Sequence, residues 1–369
     1  MEERSSINYQ NLREEILSTV AEKRQVKIQN GDKTDLRTKR TAAKLLKIRN
    51  AKELCTHLNR TFLQMELVLN EPHYHSFTIP KKQGGKRYLE TPMPELMRIQ
   101  RRLNDGLQAW YALIRPECSH GFVRKTATQT CSIVTNAYPH IGKAYVMNID
   151  LKDFFTTIRA SRVRDLFRSD CFGFDDHIST VLALLVTYRG RLPQGAPTSP
   201  VISNLVCLTL DERLQEWAKE RLVNYTRYAD DLTFSSDHPF GEEDLQALRT
   251  LIEQEGFSIN DRKVRRKGKG RKKTVTGLIV NKKVNVDRKL IRNVRAMIHD
   301  IQMNGLQQAS RRHFGPFVPD TPLAREIFLY KIHGTIRFIG QVRGKDDPIC
   351  RKLSDVLYIC TSAKDRKNG

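Results

Sequence analysis

No run of 18 apolar residues occurs anywhere in the chain, so no membrane-spanning helix is expected. A signal-peptide core is missing too, because the opening MEERSSINYQ is polar and acidic. The seven cysteines (Cys55, Cys118, Cys131, Cys171, Cys207, Cys350 and Cys360) form no CxxC pair. That pattern argues against structural zinc and for reduced thiols in a cytoplasmic protein. No internal repeat appears, and no low-complexity tract beyond one basic run. Acidic residues are outnumbered: 41 Asp and Glu face 64 Lys and Arg, a formal net charge of +23. Such an excess calls for a polyanionic partner, nucleic acid first and an anionic membrane surface second.

What is present suffices for one large core or two to three modest domains, with 369 residues of which 39% are apolar. Residues 1–70 carry apolar side chains at three- and four-residue spacings and read as charged helices broken at NGDKTD (30–35). SFTIPKKQGGKRYLETP (76–92) reads as a hairpin turning at Gly84–Gly85, with Lys81, Lys82, Lys86 and Arg87 at its tip. A cationic tip suits phosphates, and it equally suits plain solubility. Helices are expected over 93–118, in SRVRDLFR, over 177–190, within 191–220 after a Pro/Gly loop, and over 243–258 with Gly256 as the C-cap. YVMNIDLKDFF (145–155) opens as an apolar strand ending near Asp150. DRKVRRKGKGRKK (261–273) sets nine Lys or Arg beside one Asp, and TVTGLIVNKKVNVD (274–287) alternates like a hairpin. Residues 288–369 read as mostly helical with a Pro-rich break at 314–324. Helices interspersed with short hairpins imply an α+β fold with an antiparallel sheet.

RYADDLTFS (227–235) sets Asp230 and Asp231 side by side at the tip of an expected hairpin. Turns accept Asp cheaply, and most such pairs are simply solvated. Asp150 ends another strand, however, and neighbouring strands would bring three carboxylates to one sheet edge. A divalent cation relieves their repulsion. Mg²⁺ prefers such hard oxygens together with substrate phosphates. Two such ions clamp both ends of an in-line displacement at phosphorus.

NIDLKDFF (148–155), LPQGAPTSP (192–200) and YADD (228–231) follow one another in an order and spacing that resembles the reverse transcriptases. The likeness runs over about residues 75–345. Within that family it is to the bacterial retron type: NAYPH (136–140) is similar to the NAxxH element of those enzymes, and VTG (275–277) to their other characteristic element. GTIRFIGQVRG (334–344) is similar to their thumb-region ending. The resemblance implies a right-hand polymerase fold with fingers, a palm built on an antiparallel sheet, and a helical thumb. Its implied boundaries are an N-terminal helical basic extension over 1–70, fingers and palm over 75–287, thumb over 288–345 and a C-terminal tail over 346–369.

Residue by residue, the resemblance implies that Asp150, Asp230 and Asp231 form the catalytic triad and hold two Mg²⁺ with the backbone carbonyl of Leu151. Phe155 would lie beneath the incoming sugar and exclude a 2′-hydroxyl. Gln194 and Gly195 would pack on the nascent base pair. Lys81 (or its neighbour Lys82) and Arg87 would hold the triphosphate, and Lys263 would protonate or steady pyrophosphate. RNA contact would fall to Asn136 and His140, to Arg265, Arg266, Lys267, Lys269, Arg271, Lys272 and Lys273, and to Val275, Thr276 and Gly277.

The implied activity is RNA-directed DNA synthesis from dNTPs on a cognate structured non-coding RNA, primed from a guanosine 2′-hydroxyl and yielding branched RNA–DNA (msDNA). A separate effector protein in antiphage defence and a host RNase H would complete the system, since the 24 residues after 345 are too few for a nuclease domain. Two alternatives stay open: a reverse transcriptase of intron or CRISPR-associated type, and a non-catalytic RNA-binding protein on a polymerase fold.

Overall fold

The computed structural model describes residues 8–22, 32–70, 74–81, 84–126, 130–314 and 321–362. They fall into two compact units, Met1–Pro139 with Ala144–Lys267, and His140–Lys143 with Gly268–Gly369. Among the described residues no helix is long and apolar enough to cross a membrane.

The first unit opens with helices Tyr9–Glu22, Asp32–Leu46, Ala51–Leu58 and Phe62–Asn70. The second helix starts inside the break expected at 30–35, since Asp32 to Asp35 are already helical; residues 30 and 31 lie outside the described residues. Strands β1 (Tyr74–Pro80) and β2 (Lys86–Pro92) pair antiparallel from Tyr74↔Pro92 to Pro80↔Lys86. Gly84 and Gly85 turn the hairpin at φ +87 and +84, where a Cβ is strained. Lys82 lies outside the described residues. Helix Pro94–Ile114 starts on a proline, whose fixed φ suits a first turn, and buries Leu96, Ile99, Leu103, Leu107, Trp110 and Ile114 along one stripe.

The main sheet has the order β4-β5-β3-β6, with β3 Tyr145–Asp150, β4 Asn224–Tyr228, β5 Asp231–Ser236 and β6 Arg265–Lys267. All its pairings are antiparallel. Register sorts the two faces by the period of two. Met147↔Phe234, Ile149↔Leu232 and Tyr225↔Phe234 make one face apolar, while Asn148↔Thr233, Thr226↔Thr233 and Asp150↔Asp231 make the other polar. The apolar side shares a core with Leu210, Leu214 and Trp217 of helix Leu208–Glu220 and with Leu248 and Ile252 of helix Glu242–Gln254. Phe234 lies at its centre, stacked on Tyr225 at 4.9 Å and met edge-on by Trp217 at 5.7 Å. Burying one such ring contributes roughly 1.5–3 kcal/mol. The front of the basic run is the edge strand β6, with Arg265, Arg266 and Lys267 all exposed. Charges on an edge strand also discourage pairing with another chain.

In the second unit β7 (Thr274–Val275) and β8 (Leu278–Ile279) form a hairpin whose two turn residues, Thr276 and Gly277, have φ +46 and +84. Both signs positive is the type I′ pattern that follows strand twist. Helices Arg288–Phe314, Pro322–Arg343 and Pro348–Ser362 follow, the first broken at Gly305. Ile298, Phe328, Ile332, Ile339 and Leu357 are buried in this unit. A Cβ on Gly340 would stand 2.9 Å from Cys350 Sγ, so glycine permits that close helix packing. Most of the expected tail is thus a packed helix, with Leu353 and Leu357 buried.

Candidate active site

The β4–β5 turn has two residues, Ala229 and Asp230, since Tyr228 pairs with Asp231. Ala229 stands at φ +59, a place where such turns favour glycine, and an alanine there costs roughly 1–2 kcal/mol. Gly121 abuts the turn: a Cβ on it would come within 2.4 Å of the Ala229 nitrogen.

Asp150 and Asp231 are direct cross-strand partners, which is destabilising for like charges. The Leu151 N–H donates to the Asp230 carbonyl at 2.9 Å and ties the turn to the end of β3. On the other side the Asn260 N–H donates to the Asp150 carbonyl at 2.8 Å, and the Lys152 N–H to the Ser258 carbonyl at 2.8 Å. Residue 151 falls between those two bonds, so that pairing does not use the Leu151 carbonyl. Lys263 Nζ donates to both oxygens of Asp150 at 2.8 and 2.9 Å, and Asn260 Nδ2 to one of them at 3.3 Å. The bond to Asp150 raises the lysine's pKa above its ordinary value. Although Asp231 keeps an exposed side, desolvation at the crowded end of the sheet, then the charges of Asp230 and Asp150, push its carboxyl up to about 6. Burial and the Asp150 charge raise Asp230 as well.

A cavity of about 1090 Å³ opens at this end of the sheet. Asp150, Leu151, Asp230 and Lys263 line one part, and Lys81, Lys86 and Arg87 of the β1–β2 hairpin another. Phe155 faces the same space, its half-buried ring held between Phe122 at 5.9 Å and Phe154 at 5.4 Å. Gln194 and Gly195 complete the lining. The Glu90 N–H donates to the Gln194 carbonyl at 2.7 Å, and Arg191 forks onto the Glu90 carboxylate at 2.8 and 3.0 Å. Gly195 has φ +124, and a Cβ on it would lie 3.1 Å from the Glu90 carbonyl oxygen. Both facts require glycine where loop 192–200 meets β2.

Other expected residues do not present themselves. Asn136 and His140 are fully buried, so direct RNA contact through their side chains is not available; the Asn136 carbonyl instead accepts from Thr226 Oγ1 of β4 at 3.3 Å. Both polar side-chain atoms of Asn136 lack a hydrogen-bond partner among the described residues. Val275 belongs to the second unit's core, and Lys273 is only 6% exposed, so neither offers its side chain to a phosphate backbone. Thr276 and Gly277 form the hairpin turn, with Gly277 exposed. Lys269, Arg271 and Lys272 are exposed like the three cations of β6. Two of these cations are paired, Arg266 with Glu242 at 3.0 Å and Lys272 with Asp287 at 2.8 Å. The sequence reading also passed over Gly121, the Arg191–Glu90 fork and buried Arg227. Only Arg227 left a readable trace, a charge where alternation predicts an apolar side chain.

Among the described residues no three His, Cys, Asp or Glu side chains form a ready metal cluster. The donor chemistry still fits Mg²⁺: hard oxygens, two of the carboxyls raised by desolvation and by neighbouring carboxylates, and an ammonium already lying on the third.

An antiparallel sheet ending in carboxylates, a cationic hairpin and a helical second unit define a right-hand polymerase fold. The reverse transcriptase (RNA-dependent DNA polymerase) family matches residues 79–280. The chain belongs to that family, and the relatives that follow are retron reverse transcriptases. It is 36% identical to the Retron Mx65 reverse transcriptase of Myxococcus xanthus, over 65% of this chain and 59% of that protein. Identity to the Retron Mx162 reverse transcriptase of the same organism is 38%, over 62% and 52% of the two. The Retron Ec86 reverse transcriptase of Escherichia coli is 36% identical over 67% of this chain and 75% of its own length. The chain therefore spans little more than half of the two Myxococcus relatives. A solved Candida albicans telomerase with a fragment of telomeric RNA overlaps 80% of this chain and 64% of its own at 10% identity and a TM-score of 0.44, too slight to add to the assignment.

The raised Asp231 pKa has a signed consequence. In the folded protein the Asp231 pKa is pushed up to about 6, against about 3.9 for an ordinary aspartate. Its stabilising contribution is lost as pH rises through that window. Solvent screens much of this at an exposed side chain, so Asp231→Asn should raise the metal-free melting temperature at pH 7.5 by about 1–2 °C. The gain should shrink below pH 6, as scanning calorimetry in EDTA would register.

Proposed function

We propose that the chain is an RNA-directed DNA polymerase that copies a cognate structured non-coding RNA into branched RNA–DNA in the cytoplasm. The observation that carries this reading is the Asp150↔Asp231 opposition, with Asp230 in the adjoining turn, beside a cavity lined also by the Lys81–Arg87 hairpin. A pure binder of phosphates gains nothing from such clustered acid. The retron relatives support the choice of RNA and of product.

Asp150, Asp230, Asp231 and the Leu151 carbonyl would hold two Mg²⁺ ions, which when bound supply Lewis acidity at the 3′-oxygen and the phosphates. Lys81 and Arg87 draw the triphosphate into the cavity. Gln194 and Gly195 pack against the nascent pair, and the ring of Phe155 excludes a 2′-hydroxyl by contact. The primer 3′-hydroxyl gives up its proton to solvent as its oxygen attacks the α-phosphorus, the bond to pyrophosphate breaks, and Lys263 neutralises or protonates that leaving group. Exposed Arg265, Arg266, Lys267, Lys269, Arg271 and Lys272 bind RNA phosphates without reading bases. A separate effector and a host RNase H are the remaining partners in this reading.

Asp230→Ala should lower primer extension at least about 100-fold while RNA affinity stays within about twofold of wild type. Extension that persists in this variant excludes Asp230 from the metal site. Phe155→Ala should raise ribonucleotide incorporation relative to deoxyribonucleotide by roughly 10- to 100-fold. Competition assays with matched dNTP and rNTP read this directly, and an unchanged ratio removes Phe155 from the gate.

A further inference from the structure

A buried ionic cluster lies beneath the Ala229–Asp230 turn. Arg227 and Asp211 are both fully buried. Alternation along β4 pairs Arg227 with Leu232, on the apolar face of the sheet. A charge there is costly unless its donors are met. Here they are. Nε and Nη2 fork onto the two Asp211 oxygens at 2.8 and 2.6 Å. Nη1 donates to Asn204 Oδ1 at 2.8 Å and to the Ala229 carbonyl at 3.3 Å, and Nη2 also reaches Ser119 Oγ at 3.3 Å. The Tyr225 hydroxyl donates to Asp211 at 2.9 Å.

These bonds reach the turn from separate elements. Asp211 lies in helix Leu208–Glu220, and Asn204 in helix Ser199–Val206, which runs straight on from the 192–200 loop. Asn204 Nδ2 donates in turn to the Gly121 carbonyl at 2.9 Å, and Gly121 is the residue pressed against Ala229. The flanking segment is pinned to β4 by two backbone bonds, Arg227 N–H to the Cys118 carbonyl at 2.8 Å and His120 N–H to the Arg227 carbonyl at 2.9 Å. Apolar or neutral pairs commonly replace buried ion pairs with little loss of stability. They could not bond the Ala229 carbonyl and Asn204 at once. What the guanidinium adds is direction.

We propose that Arg227, with Asp211 and Asn204, is a positioning cluster that sets the Ala229–Asp230 turn against the 192–200 loop, and so places the aspartates relative to the incoming nucleotide. The proposal rests on the polymerase reading above. Arg227 acts through the turn and touches no substrate, so its loss falls on kcat and leaves the dNTP KM nearly unchanged.

The test uses the full-length chain with Arg227→Met, Asp211→Asn and the two combined. The pair removes both charges and leaves the Tyr225 hydroxyl an acceptor. Each single variant should lower Tm, because it strands one buried charge. The double variant should recover most of that Tm yet keep kcat down by about 10- to 100-fold, as a displacement of about 1 Å would cause. Recovery of kcat along with Tm overturns the proposal, since the cluster would then serve stability alone. Gly121→Ala decides the matter if the double variant stays unstable. Its Cβ displaces the turn while the Arg227–Asp211 pair stays intact, so kcat should fall with KM held; wild-type kcat in Gly121→Ala overturns the role. A folded wild-type chain that makes no DNA on any primed RNA would overturn the polymerase reading itself, and this role with it.

Discussion

Asp150 and Asp231 face each other across two adjacent strands, and the rest of the first unit depends on keeping them there. Opposed carboxylates push strands apart. The protein answers with the Lys263 ammonium on Asp150 and with backbone bonds from residues 151 and 260 that lock β3 to its neighbours. The residual strain is visible in the raised pKa of Asp231. A site that holds unfavourable charge at rest is one prepared for a cation.

Holding that arrangement takes the two faces of one sheet. The polar face carries the carboxylates and the threonines. Its apolar counterpart, through Phe234, Leu232 and Tyr225, anchors the same strands to the helices beneath. Arg227 is the exception on that apolar face, and its guanidinium reaches around to the turn itself. Beside this, two glycines do what no other residue can. Gly121 lets one segment lie against the turn, and Gly195 lets the 192–200 loop lie against β2. The cavity walls are thus set by backbone fits as much as by side chains.

Much of this was legible in the sequence, for physical reasons. The apolar run of YVMNID predicted β3, and RYADDLTFS predicted the β4–β5 hairpin that turns at Ala229 and Asp230. The Gly84–Gly85 turn was equally plain. The strand at the front of the basic run could not be seen in the sequence, because charge density hides the short pairing of Arg265–Lys267 with β3. Asn136, His140, Lys273 and Val275 read as RNA contacts, yet burial is set by tertiary packing that a short motif does not reveal. Gly121 was invisible for the same reason: only the fold brings it to Ala229. Arg227 could have been caught by asking what an arginine does at an apolar register position.

The measurement that tests the central claim most directly is calorimetric titration of Mn²⁺ into the metal-free full-length chain, wild type and Asp150→Asn, at pH 7.5 and pH 5.5. Opposed carboxylates that await a cation predict saturable binding at pH 7.5, weaker binding at pH 5.5 as Asp231 takes up its proton, and near-complete loss in Asp150→Asn. Binding that ignores both the substitution and the pH would contradict the account, and would mean that the paired aspartates are a fixed structural feature held by Lys263 alone.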